Sequence, residues 1–313
     1  MTEQPSWCPY CGKPAVPGAA FCAYCGERFP AGQEDLRPAG EVARSIPLPD
    51  RDQIEGRCAV IHTGREDMDI RTVGGIVAEF SGKPKPDVTR MMRTTKGFIA
   101  SAMESGEAVA LAKRLEEDMG LSVIVVSERD CVPLPEAMRM RQVAIHDSGL
   151  QCEAYTWDRT ARLEVAWNEV FLVSCGRVEV ERVTEGAPEP KPRGNPFMRS
   201  VPELITERFN EFLIDIVLHK PWRRLRLDYN TAAYAFRDEE PDRQESLESL
   251  KNCAMRLIEH AVGVPMSHGV RLLVSADPGS SVWEELSFLN KRDFDSYTCW
   301  LLQLVRFGEG LPD

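Results

Sequence analysis

The sequence lacks the short motifs that usually identify an enzyme. It contains only five histidines, and none of them stands in an HExxH, HxH or HxxE pattern. It also lacks the GxSxG turn of serine hydrolases and a glycine-rich nucleotide loop. Gly74 and Gly75 fall inside a helical pattern, so we assign them to helix packing. These absences favour a non-enzymatic protein, and an enzyme of unrecognised type with its site between domains stays open.

Long apolar runs and an excess of basic residues are also missing. No stretch reaches the ~18–20 consecutive apolar residues of a membrane-spanning helix. Residues 1–7 have neither the basic nor the apolar part of a secretory signal, so we expect a cytoplasmic protein. The net charge of −11 opposes binding to nucleic acid and to anionic membranes. The strongest basic cluster is short and consists of Lys220, Arg223, Arg224 and Arg226.

The ten cysteines fall into two classes. Four form two CxxC pairs near the N-terminus. The others stand singly among apolar neighbours, which is typical of small buried side chains in a reducing compartment. A catalytic role for one of them stays open, although none has an activating context. These single cysteines are Cys58, Cys131, Cys152, Cys175, Cys253 and Cys299.

The two CxxC pairs have the spacing of a structural metal site. In Cys8–Gly12 and in Cys22–Gly26, two residues separate the cysteines, so both sulfurs of one turn can point at the same metal. Each pair ends in a glycine, which permits the left-handed backbone of such a turn. Four thiolates close a tetrahedral site with no vacant position; iron also fits, but zinc is the expected occupant. The predicted zinc ligands are Cys8, Cys11, Cys22 and Cys25.

Residues 6–29 resemble the short bacterial zinc-ribbon family with the pattern CPxCG…FCxxCG. Pro9 and Phe21 match that pattern, as do the glycines after each pair. The resemblance implies a structural Zn²⁺ whose binding provides most of the folding free energy of the segment, on the order of 10 kcal/mol. Lysines and arginines are balanced by glutamates here, so the ribbon suits a small recognition surface that includes Tyr10 and Tyr24.

After the ribbon, the sequence predicts a linker and an α+β domain. Residues 30–56 are rich in proline, glycine and charge, which indicates a flexible linker. Residues 57–134 then alternate between strand-like and helical patterns in the order β-α-α-β-α-β, with helices on one face of a small sheet. Asp87 is the expected cap of the second helix.

The stretch from Thr72 to Val126 is similar to the C-terminal domain of the bacterial ribosomal stalk protein. The similarity includes Phe80–Gly82 at the end of a helix and the run Ala108–Glu116. In that family the first two helices present lysines and an arginine to translation factors. The corresponding positions here are Ile70, Gly75, Ala78 and Thr89, so the resemblance implies the fold rather than the factor-binding role.

Residues 139–313 predict a β-rich module with C-terminal helices and a Pro-rich loop at 184–202. The segment Ala166–Val170 resembles bacterial pleckstrin-homology-like domains, which implies strands closed by a helix; two unrelated small sheets are the alternative. Asp293 is the expected N-cap of the last helix, which either packs on the preceding module or binds a partner.

Together these features predict a multidomain α+β protein with an N-terminal zinc ribbon. We expect a non-enzymatic adaptor or regulatory protein that contacts an unknown protein partner, because small modules on linkers suit several weak contacts. A ribosome- or RNA-associated protein is the first alternative, and the acidic charge argues against it.

Overall fold

The computed structural model describes residues 6–7, 14–15, 46–64, 68–155, 160–185, 204–228 and 243–311. These residues form a mixed α/β structure with six α-helices, one pair of short strands, a three-stranded sheet and a curled seven-stranded sheet. The strands are β1 (Ser6–Trp7), β2 (Pro14–Ala15), β3 (Arg57–His62), β4 (Phe98–Glu104), β5 (Val123–Ser127), β6 (Ala137–His146), β7 (Gly149–Tyr155), β8 (Thr160–Ala166), β9 (Val170–Glu185), β10 (Leu204–His219), β11 (Trp222–Asp228) and β12 (Ser287–Phe288). The helices are α1 (Ile70–Ser81), α2 (Lys85–Thr95), α3 (Ser105–Met119), α4 (Arg243–His260), α5 (His268–Ser275) and α6 (Lys291–Arg306).

Residues 57–127 contain the expected order of elements, β3-α1-α2-β4-α3-β5. The capping group of α1 is Asp69, whose Oδ1 accepts a hydrogen bond from the Arg71 N–H at 3.0 Å. The expected cap of α2 is wrong: the helix begins at Lys85, so Asp87 lies within its first turn and Pro84 occupies the N-cap position. Proline is tolerated at this position because the first residues of a helix donate no backbone N–H within the helix, so the missing N–H of proline costs no hydrogen bond.

Helices α1 and α2 pack closely because α1 contains glycine at the contact. A Cβ on Gly74 would lie 2.9 Å from Thr89 Oγ1, which is closer than the two groups can approach. A Cβ on Gly75 would lie 3.2 Å from Lys85 Nζ. The assignment to helix packing is therefore confirmed for Gly74, whereas a side chain at Gly75 would meet only the flexible end of Lys85.

The central strand of the three-stranded sheet is buried on both faces. Its order is β4-β3-β5, with antiparallel pairing throughout. Cys58 and Val60 of β3 pack with α1, α2 and α3, whereas Ala59 and Ile61 belong to the core formed with the C-terminal half. Strand β5 divides in the same way, because successive side chains of a strand point to opposite faces. The small sheet therefore has helices on one face and the C-terminal half on the other.

The seven-stranded sheet has the order β12-β9-β10-β11-β6-β7-β8. Two antiparallel meanders, β6-β7-β8 and β9-β10-β11, are joined by parallel pairing of β11 with β6. The alternative of two unrelated small sheets is therefore wrong. Strand β9 extends to Glu185, so the first two residues of the Pro-rich loop expected at 184–202 belong to a strand. The rest of the expected Pro-rich loop lies outside the described residues.

Helices cover both faces of the seven-stranded sheet. On one face, Ser174 Oγ lies 2.9 Å from Thr298 Oγ1 of α6. On the opposite face, the neighbouring Cys175 lies beside Cys253 of α4. Gly176 allows β12 and α6 to approach, since a Cβ there would lie 2.5 Å from the Phe288 ring of β12 and 2.9 Å from the Phe294 ring of α6.

Helix α6 lies between the two sheets and joins them. The Trp300 Nε1–H donates to the His62 carbonyl of β3 at 2.7 Å. The Gln303 side-chain amide donates to the Val132 carbonyl at 2.8 Å, and its Oε1 accepts from the Val132 N–H at 3.1 Å. The expected packing of the last helix on the preceding module is confirmed. Its expected cap is wrong, because Asn290 Oδ1 accepts from the Asp293 N–H at 3.0 Å and the helix begins at Lys291.

Residues 46–56 are attached to the fold, so the flexible linker expected over 30–56 does not extend through them. The Ile46 N–H donates to the Arg306 carbonyl at 2.8 Å. Arg51 makes two hydrogen bonds to the Glu116 carboxylate, at 2.5 and 2.8 Å, and a third to the Val123 carbonyl at 2.9 Å. Ile54 is buried in the core under the helices. Residues 30–45 lie outside the described part.

Candidate functional site

The four predicted zinc ligands, Cys8, Cys11, Cys22 and Cys25, lie outside the described residues. The described strands β1 and β2 flank the first pair of cysteines. They pair antiparallel, with Trp7 opposite Pro14 and Ser6 opposite Ala15. The described residues on either side of the first CxxC pair, Trp7 and Pro14, are therefore held side by side.

In the described ranges, no group of three or more histidine, cysteine, aspartate or glutamate side chains is arranged to hold a metal ion.

A buried ionic network lies beneath α6, on the face of the seven-stranded sheet that this helix covers. Asp215 is fully buried at its centre. Arg226 donates to both Asp215 carboxylate oxygens, from Nε at 2.6 Å and from Nη2 at 2.7 Å. Arg224 Nη1 donates to Asp215 Oδ2 at 3.3 Å. Two-point pairing of this kind fixes the orientation of both groups.

Asp295 of α6 completes the network from the helix side. Its Oδ1 accepts hydrogen bonds from Arg224 Nη1 at 2.8 Å and from Arg226 Nη2 at 2.5 Å. The guanidinium of Arg226 also lies 5.4 Å from the centre of the Phe294 ring. The four charged groups are two cations and two anions, so the network is neutral as a whole and it links β10 and β11 to α6.

The network shifts the pKa of its central carboxylate. Burial alone would raise the pKa of Asp215, but the positive charges of Arg226 and Arg224 hold it below its ordinary value. Burial alone would lower the pKa of Arg226, and Asp215 and Asp295 raise it instead. Asp215 and Arg226 are therefore both charged at neutral pH.

A second charged group continues along the same face of the sheet. Glu211 is almost fully buried, and its Oε2 lies 3.2 Å from Lys291 Nζ at the start of α6. Asp228 is also buried, 3.7 Å from Arg139. Burial raises the pKa of Glu211; Lys291 opposes that shift and Asp228 adds to it. Because the pKa of Glu211 is raised in the folded state, its ionisation at neutral pH lowers the free energy of unfolding.

These contacts change the interpretation of the basic cluster at 220–226. Two of its four members, Arg224 and Arg226, point into the protein and are neutralised by aspartates. Only Lys220 and Arg223 of that cluster lie nearer the surface. The cluster therefore does not form a continuous basic surface of the kind that binds phosphates.

The single cysteines of the described part are free thiols with raised pKa values. Burial raises the pKa of Cys131, Cys152 and Cys253 to about 12 in each case. It also raises the pKa values of Cys58, Cys175 and Cys299. Because the thiolate is the reactive form, these side chains are poor nucleophiles at neutral pH. Their expected role as small buried side chains is confirmed for four of them, whereas Cys131 and Cys299 are partly buried.

Two histidines, His260 and His219, contact polar groups of neighbouring elements. His260 Nδ1 lies 2.8 Å from an Asp147 carboxylate oxygen, and His219 Nε2 lies 2.7 Å from the Asn168 carbonyl. These contacts attach α4 to the β6–β7 turn, and the end of β10 to the 3-10 turn at residues 167–169, just before β9. They are ordinary structural contacts.

Two exposed apolar side chains, Met255 and Ile258, lie three residues apart on one side of α4. A third, Val262, lies in the turn after the helix and is 84% exposed. Clustered apolar side chains in water are typical of contact surfaces between proteins.

Part of the ionic network has a local signal in the sequence, although it matches no catalytic or binding motif. Asp215 is the single charged residue in the apolar run 212–218, and a lone acid in such a run must find a partner when it is buried. Arg224, Arg226 and Asp228 alternate with leucines, which places all three on one face of a strand. The contribution of Asp295, 69 residues from Arg226, has no local signal.

No family model matches the chain, and neither a curated protein nor a solved structure does. Among the helices of the described ranges, none combines the length and the apolar character needed to cross a membrane.

Proposed function

We propose that this chain is a non-enzymatic adaptor or regulatory protein that acts in the cytoplasm by binding another protein. In this proposal an N-terminal zinc ribbon presents a small recognition surface next to the folded residues 46–311. The ligands of its structural Zn²⁺ are Cys8, Cys11, Cys22 and Cys25. The pairing of β1 with β2 is the main support, because it holds together the ends of the segment that contains the first two ligands.

The distribution of charge favours a protein as the partner over a nucleic acid. The chain carries a net charge of −11, and a tetrathiolate zinc site adds two negative charges to a ribbon whose own side chains balance. Arg224 and Arg226, the centre of the strongest basic cluster, are already neutralised by Asp215 and Asp295. The exposed apolar side chains of α4 and of the turn that follows it offer contacts of the kind that proteins bind.

Two further observations support the absence of catalysis and the cytoplasmic location. The buried acid Asp215 is fully engaged by two arginines, and the single thiols are held protonated by burial. Six free thiols in the described part suit a reducing compartment.

The experiment is a comparative pull-down with the full chain as bait. The wild type, a C8S/C11S variant that cannot form the ribbon, and a C131S control are bound to resin and exposed to lysate from the source cells. We expect at least one protein that the wild type and C131S retain and that C8S/C11S loses. The purified partner should then bind the wild type directly in isothermal titration calorimetry, and binding should disappear after chelation.

Two results would count against this proposal. The first is that every captured protein binds all three baits equally, because the ribbon then has no part in recognition. The second is that the chain sediments with ribosomes at moderate salt, which would favour the ribosome-associated alternative.

A further inference from the structure

Strand β8 ends the seven-stranded sheet and leaves one edge open. Its inner edge pairs antiparallel with β7 over seven residues, from Gly149 opposite Ala166 to Tyr155 opposite Thr160. In the described ranges no strand pairs with its outer edge. An open edge of this length offers a row of backbone N–H and C=O groups to another strand.

The side chains of β8 alternate between two environments. Arg162 and Glu164 are exposed, on the face of the sheet turned to solvent, whereas Leu163 and Val165 are directed to the core side. Arg162 Nε lies 3.3 Å from Glu153 Oε1 of β7, and the Gln151 amide donates to Glu164 Oε1 at 3.3 Å. The edge therefore carries one positive and one negative charge, two residues apart.

We propose that β8 pairs antiparallel with β8 of a second copy of this chain, about a two-fold axis at Leu163. In this register Arg162 of each copy lies opposite Glu164 of the other, which gives two cross-strand ion pairs. On the core side Leu163 meets its own copy and Ala161 meets Val165, so every opposed pair on that side is apolar. Such a self-complementary patch is what a two-fold dimer requires.

The charges also exclude the neighbouring registers. A shift by two residues in one direction places Arg162 opposite itself, and in the other direction Glu164 opposite itself. Like charges directly opposite each other on a sheet are unfavourable. A shift by one residue would turn the apolar side chains of one copy toward the exposed face of the other. The proposed register is therefore the one that satisfies both faces of β8.

Charge reversal provides a specific test on the full chain, by sedimentation velocity over a range of concentrations. Wild type should show a monomer–dimer equilibrium. R162E and E164R should each weaken dimerisation about tenfold, because each opposes like charges twice in the dimer. A mixture of R162E and E164R should dimerise like the wild type, because acidic edges then face basic ones. R208E, which reverses a comparable arginine beside Glu181, is the control and should leave dimerisation unchanged.

A cysteine scan gives a second measurement that does not depend on charge. L163C should form an intermolecular disulfide under mild oxidation, since position 163 lies opposite its own copy. A161C should not, because position 161 lies opposite Val165.

Three results would overturn the proposal. They are a wild-type chain that stays monomeric at all concentrations, a mixture of R162E and E164R that dimerises no better than either variant, and equal crosslinking of L163C and A161C. This proposal is independent of the partner that the ribbon binds, since none of the test positions lies near the N-terminus.

Discussion

Removing the central carboxylate of the ionic network should destabilise the protein more than its size suggests. Asp215→Ala leaves Arg224 and Arg226 buried with one aspartate between them, so the network gains a net positive charge. Breaking a buried ion pair in this way costs about 3–5 kcal/mol. Asp295 is 35% exposed, so water screens the loss in D295A, and about 1 kcal/mol is expected.

A second substitution should restore part of the lost stability. In D215A/R226M the remaining pair, Arg224 with Asp295, is neutral again, and methionine fills part of the space of the arginine stem. Replacing a whole buried pair by apolar groups is often neutral. We therefore expect the double variant to be more stable than D215A alone, although it carries one more change in the core.

The assay is urea unfolding followed by circular dichroism, at constant pH, with m-values compared to exclude a change of the unfolded state. Acid titration adds a check on the sign. The pKa of Asp215 is held below its ordinary value, so its stabilising effect is present above the unfolded value of about 3.9 and is lost as the pH falls through the folded one. The wild type and D215A should therefore converge below about pH 4.

Three results would refute the reasoning. If D215A and D295A lower the free energy of unfolding by the same amount, burial does not control the energetics of the network. If D215A/R226M is less stable than D215A, the unpaired charge is not the main penalty. A difference between wild type and D215A that stays constant into acid would show that the carboxylate acts by shape and not by charge.

Three further predictions use other parts of the fold. Gly97→Ala should lower the melting temperature more than the control Gly82→Ala, because both glycines have positive φ but only the first would place a Cβ 2.2 Å from Trp300; equal losses would contradict the contact between α6 and the small sheet. Glu211→Gln should stabilise the protein at pH 7 and lose that advantage in acid, because the raised pKa makes ionisation unfavourable above about 4.3, and calorimetry at pH 7 and pH 4 compares the two; a destabilised E211Q would show that Lys291 dominates. In thiol titration of the native protein at pH 8, a chelator should release four fast-reacting thiols while the single cysteines stay slow, and more than four would contradict their burial.

Local patterns were sufficient to predict the helices and strands of residues 57–127. Each element there is a periodic run between chain breakers, such as the proline-containing turn before α2 and Gly120 at the end of α3. The glycine at the end of α1 has φ 63°, a conformation that favours glycine, so its position also marked the end of the helix.

The arrangement of these elements could not be predicted from local patterns. Parallel pairing of β11 with β6 joins residues that are 87 positions apart, and nothing in either strand specifies its neighbour. The apolar face of α6 indicated burial, but not that the helix would lie between two sheets. The ionic network depends on that placement, since Asp295 reaches the arginines only when α6 lies on this sheet face.

Metal content tests the central claim most directly. The full chain is produced in medium that supplies both zinc and iron, purified without chelator, and its metal content is measured by mass spectrometry. The account predicts one zinc and no iron per chain, and loss of that zinc in C8S/C22S but not in C131S. Chelation should leave the main thermal transition of residues 46–311 in place, because the ribbon folds with its own metal. Absence of zinc from the wild type, or zinc that persists in C8S/C22S, would contradict the account.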